Sequence, residues 1–378
     1  MTLIDMLRQL IACNSVSSVN PALDQGNRNV IDLLASWLDD LGFVTEVMPL
    51  ADPRKANLIA TLGSGPGGLV LAGHTDTVPC DERLWRQSPF KLIERDSRFY
   101  GLGVCDMKGF FALAIEAAKQ VVERPLQQPL IILATADEES SMAGARALAE
   151  AGQPKARYAV IGEPTGMKPV AMHKGILIER LIVQGKSGHS SNPALGNNAL
   201  HTMHDALSVL RTVQAELKAQ YANPLFAVDY PTLNLGNISG GDNPNRICGH
   251  CELGFEIRPL PGMDIDELHD MLGQRLLGLG GPEGTEISLE YFGVPAFAAA
   301  DQSVLVAYCE KLTGHSRGSV AFATEAPYLQ HLGLDVVVMG PGNIDQAHQP
   351  DEFLATERIQ PTIHHLSELI GEYCLKAS

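Results

Sequence analysis

Five short apolar runs rich in β-branched residues, each bounded by turn residues, recur at residues 57–62, 69–72, 130–134, 158–161 and 336–339. Runs of this length without polar alternation predict strands buried on both faces. Apolar residues recur at helical spacing over 30–41, 108–122 and 143–151, and again over 361–375. Strands alternating with helices predict an α/β domain built on a mostly parallel sheet. The middle of the chain breaks that rhythm, with a strand near 176–183, a helix near 197–219, strands near 232–238 and 247–257, a helix near 264–279 and a strand near 286–292. The order β-α-β-β-α-β predicts a ferredoxin-like α+β unit. The expected organisation is therefore one domain formed by 1–176 and 292–378, interrupted by an inserted domain at 177–291.

With 378 residues, 45% of them hydrophobic, the chain can bury a large core. Its formal charge of −16, from 28 basic and 44 acidic residues, argues against a nonspecific grip on nucleic acid or anionic lipid. No apolar run approaches the roughly 18 residues of a membrane span. The first sixteen residues read as an amphipathic helix carrying Asp5 and Arg8, without the basic start of a secretory signal, so a cytoplasmic location is expected. Seven scattered cysteines, an odd number, predict reduced thiols.

Four of the five strands run directly into side chains of metal-ligand type, in LVLAGHTD, IILATADEE, YAVIGEP and VVVMGPGNIDQAH. Sites in open α/β sheets lie outside the carboxyl ends of the strands, so these segments can converge. His74 and Asp76 share one side of an extended segment, which predicts that the Asp76 carboxylate takes one imidazole nitrogen while the other binds a metal. Asp106, in GLGVCDMKG, opens a helix, where a carboxylate can bridge two cations. Glu138 and Glu139 are adjacent and cannot point the same way in an extended segment, which suggests one ligand and one base. With Glu163 and His348, the set mixes imidazole and carboxylate donors and suits zinc, cobalt or manganese.

The segments GHTDTVP, GLGVCDMKG, ATADEE, IGEPT, GKSGHSS, NRICG and GPGNIDQAHQPDE resemble the dinuclear metallohydrolase family that contains acetylornithine deacetylase, succinyl-diaminopimelate desuccinylase, aminoacylase and zinc carboxypeptidases. SMAGARALAE, YPTLNLGNISGGDNPNRIC, ELGFEIRPLPGM and ATEAPYLQ are similar to its acetylornithine-hydrolysing branch. The resemblance implies two divalent ions, zinc or else cobalt: one at His74, Asp106 and Glu163, the other at Asp106, Glu139 and His348. It makes Glu138 the general base, with Asp76 beside it in the catalytic set, and His189 an oxyanion stabiliser supplied across a homodimer formed by the inserted domain. Asn245 and Arg258 match positions that hold the substrate carboxylate, and Thr324, in the matching deacetylase segment, is expected to bind substrate with them. The implied reaction is hydrolysis of N2-acetyl-L-ornithine to L-ornithine and acetate, in arginine biosynthesis. The same machinery also suits acetylcitrulline, succinyl-diaminopimelate or a dipeptide, and a noncatalytic binding relative is the alternative outside enzymology.

Other motifs lack the context their chemistry needs. The glycines at 63, 65 and 68 enclose Pro66 and precede a strand, which reads as a hairpin turn rather than a dinucleotide loop. GHSRG at 314–318 follows a helical segment and precedes a strand-like one, the reverse of a serine-hydrolase elbow. Cys248 and Cys251 have no second cysteine pair and sit beside a strand, so they read as structural thiols.

Overall fold

A computed structural model describes residues 1–280 and 284–376, so three residues of the expected insertion and the last two of the chain lie outside the described residues. The chain divides into two compact units, one made of Met1–Ala171, Ala299–Gly318 and Thr324–Ser378, the other of Met172–Ala298 and Ser319–Ala323. It begins with α1 (Leu3–Ala12), α2 (Arg28–Asp40), β1 (Val44–Pro49), β2 (Ala56–Leu62), β3 (Leu69–His74), β4 (Ile93–Arg95) and β5 (Arg98–Tyr100). Then come α3 (Lys108–Lys119), β6 (Leu130–Thr135), α4 (Ala143–Ala151), β7 (Tyr158–Pro164) and β8 (Val170–His173). The middle holds β9 (Ile176–Gln184), α5 (Ala199–Gln220), β10 (Thr232–Gly240), β11 (His250–Arg258), α6 (Ile265–Leu277), β12 (Glu286–Val294) and β13 (Phe297–Ala298). It is followed by α7 (Val304–Thr313), β14 (Gly318–Val320), α8 (Ala326–His331), β15 (Asp335–Gly340), β16 (Phe353–Ala355) and α9 (Ile359–Ile370).

In the first unit the strands run β1-β2-β6-β3-β7-β15, with β6, β3, β7 and β15 parallel. These four are almost entirely buried, as continuous apolar runs require. Two expectations need correction. β2 is antiparallel to β6, so the run at 57–62 does not belong to the parallel set. The glycine-rich turn after it is not a hairpin, because β6 lies between β2 and β3. A fully apolar strand carries no signal of its neighbour's direction, and the later-arriving β6 takes the central place. β1 pairs with β2 as an exposed edge, which explains why it lacks an apolar run. Helix α3 packs against α1, α9 and β3, so Phe110 and Phe111 are core residues.

The second unit's sheet runs β10-β11-β9-β12, antiparallel throughout, the arrangement of a βαββαβ unit. β9 and β11 alternate inward and outward, and their buried residues pack with Met203 and Leu210 of α5 and Leu272 of α6. All seven cysteines are free thiols, Cys248 and Cys251 being buried. GHSRG lies between α7 and β14, as its flanking pattern implied. Among the described residues, no helix is long and apolar enough to cross a membrane.

Candidate active site

The carboxyl ends of β3, β6, β7 and β15 are followed by residues whose side chains meet. His74, the last residue of β3, is sealed from solvent, with Nε2 3.2 Å from Asp106 Oδ1 and 3.8 Å from Glu163 Oε1. Its Nδ1 lies 3.0 Å from a carbonyl, which assigns the proton to Nδ1 and leaves Nε2 free as a ligand atom. That carbonyl is the backbone oxygen of Asp76; the Asp76 carboxylate stands 3.8 Å away, which corrects the expectation for this pair. The carboxylate is engaged elsewhere, accepting the Glu138 and Glu139 amides at 3.3 and 3.0 Å. His348 Nε2 lies 3.1 Å from Glu139 and 3.6 Å from Asp106 Oδ2, so the Asp106 carboxylate faces both imidazoles. The ligand atoms of His74, Glu138 and Glu163 all lie within 4.8 Å of one another, as do those of His74, Asp106 and Glu139.

Burial and crowding set the electrostatics. Burial, reinforced by neighbouring carboxylates, raises Glu138 and Glu163 well above the ordinary carboxylate range. Burial likewise pushes Asp76 up to about 7. Burial opposes a charge on His74, yet Asp106, Glu163 and Glu138 outweigh it and raise this imidazole well above its ordinary value. For Asp106 the same burial penalty is overcome by His74 and His348, which hold its carboxyl low. The Glu139 hydrogen bond raises His348. So many buried carboxylates around two imidazoles leave a surplus of negative charge, which a hard divalent cation neutralises, and the donor set fits such ions.

Glu138 and Glu139 diverge because they sit on a tight turn rather than in an extended segment. Asp137 and Met142 adopt left-handed backbone conformations, at φ 60° and 54°. Lys55 Nζ grips both Asp137 oxygens at 2.8 and 2.9 Å and reaches Asp24 at 2.9 Å, while the Ser17 hydroxyl donates to Asp137 at 2.8 Å. The Ala136 amide donates to Asn57 Oδ1 at 3.1 Å. These partners come from distant segments, and only the motif acid Asp137 carries a local signal. Glu325 is also buried near this cluster; Thr135 donates to one of its oxygens at 2.7 Å, and the other has no hydrogen-bond partner among the described residues. Thr324 is buried, its hydroxyl accepting the Ala326 amide at the start of α8.

The model of Peptidase family M20/M25/M40 matches residues 70–372, well over half of the chain. The chain belongs to this family. Its M20 relatives include an acetylornithine deacetylase of Pasteurella multocida (strain Pm70), 50% identical over 374 residues and covering 98% of each chain. Another, of Klebsiella pneumoniae (strain 342), is 48% identical over 98% of this chain and 97% of the relative. An M20 family metallo-carboxypeptidase from Sulfolobus solfataricus has the same fold, with a TM-score of 0.78 at 19% identity, covering 97% of this chain and 98% of the other. So does an aminopeptidase from Bacillus cereus ATCC 10987, with a TM-score of 0.75 at 21% identity, covering 98% and 97%.

The remaining candidates of this M20 chain lie in its second unit. His189 is exposed and accepts the Ser191 hydroxyl at 2.8 Å on Nδ1. A bridge to Arg246 and the Ser190 amide bond to the Asn245 carbonyl, 3.1 Å, set His189 and Asn245 side by side. Arg258, at the end of β11, already engages Glu256 at 2.6 and 3.1 Å, so its guanidinium fork is occupied by a neighbour on its own strand.

Proposed function

We propose that this chain hydrolyses the amide bond of N2-acetyl-L-ornithine, releasing L-ornithine and acetate in arginine biosynthesis. The observation that carries this reading is 50% identity to an acetylornithine deacetylase along nearly the whole of both chains. His74, Asp106 and Glu163 would hold one divalent ion and Asp106, Glu139 and His348 a second, with zinc favoured by the donor set and cobalt the alternative. When bound, such ions supply Lewis acidity at the amide carbonyl and make a water molecule acidic enough to attack at neutral pH.

Glu138, outside both of these ligand sets, accepts the proton of the attacking water as the water oxygen bonds to the acetyl carbon. It then delivers the proton to the ornithine nitrogen as the carbon–nitrogen bond breaks. His189, contributed by the partner subunit of a homodimer, donates to the developing oxyanion. Asn245 and Arg258 hold the α-carboxylate, Arg258 exchanging Glu256 for it, and Thr324 supports the pocket wall. Asp76 fixes the Glu138 and Glu139 backbone. Residues 1–176 with 292–378 form the catalytic domain, 177–291 the lid and dimer contact, and the enzyme works in the cytoplasm.

Acetate release from a panel of N-acyl amino acids, with metal content measured on the same sample, tests this reading. The highest kcat/KM should fall on N2-acetyl-L-ornithine, with two ions per chain. Preference for N-acetylcitrulline, a succinylated diamine or a dipeptide would overturn the substrate and leave the metal chemistry standing. Turnover unaffected by a chelator that removes all metal would overturn both.

A further inference from the structure

We propose that Glu352 is a positioning residue that locks together the two loops carrying Asp106 and His348, so that these side chains can share one ion. The inference rests on the reading that Asp106 and His348 are ligands of a common metal. Its starting point is the small sheet in which β16 lies antiparallel to β5, Phe353 opposite Tyr100. The loop after Tyr100 and the loop before Phe353 therefore leave the sheet at the same end. One leads to Asp106, the other comes from His348.

Residues 101–107 form neither helix nor strand, so their amides need partners outside regular structure. Glu352 supplies them. Its Oε2 accepts the Gly103 amide at 2.9 Å, and its Oε1 accepts the Cys105 amide at 2.7 Å and the Asp106 amide at 3.0 Å. Its backbone carbonyl accepts the Gly101 amide at 3.1 Å. The side chain is 1% exposed, so water does not compete for these bonds. The loop has little room to settle otherwise: Gly103 sits at φ 82°, and a Cβ there would come within 2.6 Å of Lys108 Cε.

The opposite loop needs the anchor more. His348 is exposed and sits in a left-handed conformation, φ 58°. Residue 352, four positions on, ties this loop to the amides leading into Asp106, and the neighbouring Asp351 accepts the Arg86 amide at 2.9 Å. His74 and Glu163, on the ends of β3 and β7, do not depend on this anchor. Loss of Glu352 should therefore loosen most the ion that depends on both Asp106 and His348, and less the one that keeps His74 and Glu163.

Zinc titration of the metal-free full-length protein, with competition by a chelator, reads this directly. Glu352→Gln keeps the volume but turns one acceptor oxygen into a donor. It should weaken one of two zinc equivalents by about 10- to 100-fold and the other by clearly less. Excess zinc should restore turnover. His348→Ala should weaken the same equivalent, and adding Glu352→Gln to it should change zinc binding little further. Should Glu352→Gln fail to fold, Glu352→Asp, which keeps the charge on a shorter arm, carries the test with the same readout. Two equivalents bound as tightly as in the wild type, or both weakened alike, would overturn the proposal. A wild-type protein that binds a single equivalent overturns it too, by removing the shared ion, and marks the dinuclear reading itself as the part that failed.

Discussion

The two units treat buried charge in opposite ways. In the second, Glu179 is buried on β9 and has a dedicated partner, His269 Nδ1 at 2.9 Å, itself stacked on Tyr291. On an outward position of the same strand, Arg180 bridges Glu252 and Glu290 on the flanking strands, and the buried Lys174 donates to the Tyr230 carbonyl at 2.7 Å. In the first unit, Asp106, Glu163 and Glu138 crowd around His74, with His348 beyond. An antiparallel sheet covered on one face can turn every charge outward. A parallel sheet covered on both faces cannot, so its polar residues collect where the strands end. Charge that is buried and paired stabilises a fold; charge that is buried and in surplus marks a site.

The largest expected effect tests the surplus at its centre. Asp106→Ala should abolish turnover and empty both metal positions, because this carboxylate faces both imidazoles. Two retained ions with normal turnover would dissolve the contrast. Next comes the division within the glutamate pair. Glu138→Gln should keep the metals and lose about 10²- to 10⁴-fold in kcat, while Glu139→Gln should weaken one ion. Equal metal loss in both variants would erase the distinction between base and ligand.

A third test moves from surplus to paired charge inside the first unit. Lys55→Met leaves Asp137 buried without its cation, while Asp24 keeps Arg54 at 3.1 Å, at a cost of about 3 kcal/mol in chemical denaturation. A loss below about 1 kcal/mol would mean that solvent already screens the triad.

The smallest effect belongs to the second unit. Burial raises Glu179 from its ordinary 4.5 to about 7 despite the His269 hydrogen bond. A carboxyl raised on folding contributes stability that is present below its unfolded value and lost as pH rises through the folded one. Glu179→Gln removes that titration. Relative to the wild type, the variant should gain about 1 kcal/mol between pH 5 and pH 8, after allowance for solvent near the pair. Urea midpoints at the two pH values measure this, and a difference that does not change with pH would show that Glu179 titrates normally.

Much of this was legible in the chain. The buried runs became β3, β6, β7 and β15 because a strand covered on both faces has no polar position to spend. The βαββαβ order was readable because β9 and β11 alternate and α5 and α6 keep helical spacing. The residues now clustered at His74 were recognisable because each stands at or after a strand end or, for Asp106, just before a helix. Other features were not legible. The 63–68 turn looked like a hairpin because sequence neighbours usually pair, and nothing in an apolar strand announces that β6 will intervene. Asp76 was assigned the wrong hydrogen bond because spacing gives a side chain's direction, not its competition with the adjacent carbonyl.

The sequence by itself determined the element types, the interrupted organisation of its patterns and the identity of the convergent donors, all of which depend on periodicity and short-range spacing. Tertiary structure alone decided strand order, the turn that splays Glu138 from Glu139, and the supports Lys55, Asn57 and Glu352. Those supports act on backbone amides or carboxylates 79 to 247 positions away. A hydrogen bond to a distant amide leaves no trace in the pattern around either partner, so only the folded chain could bring it to light.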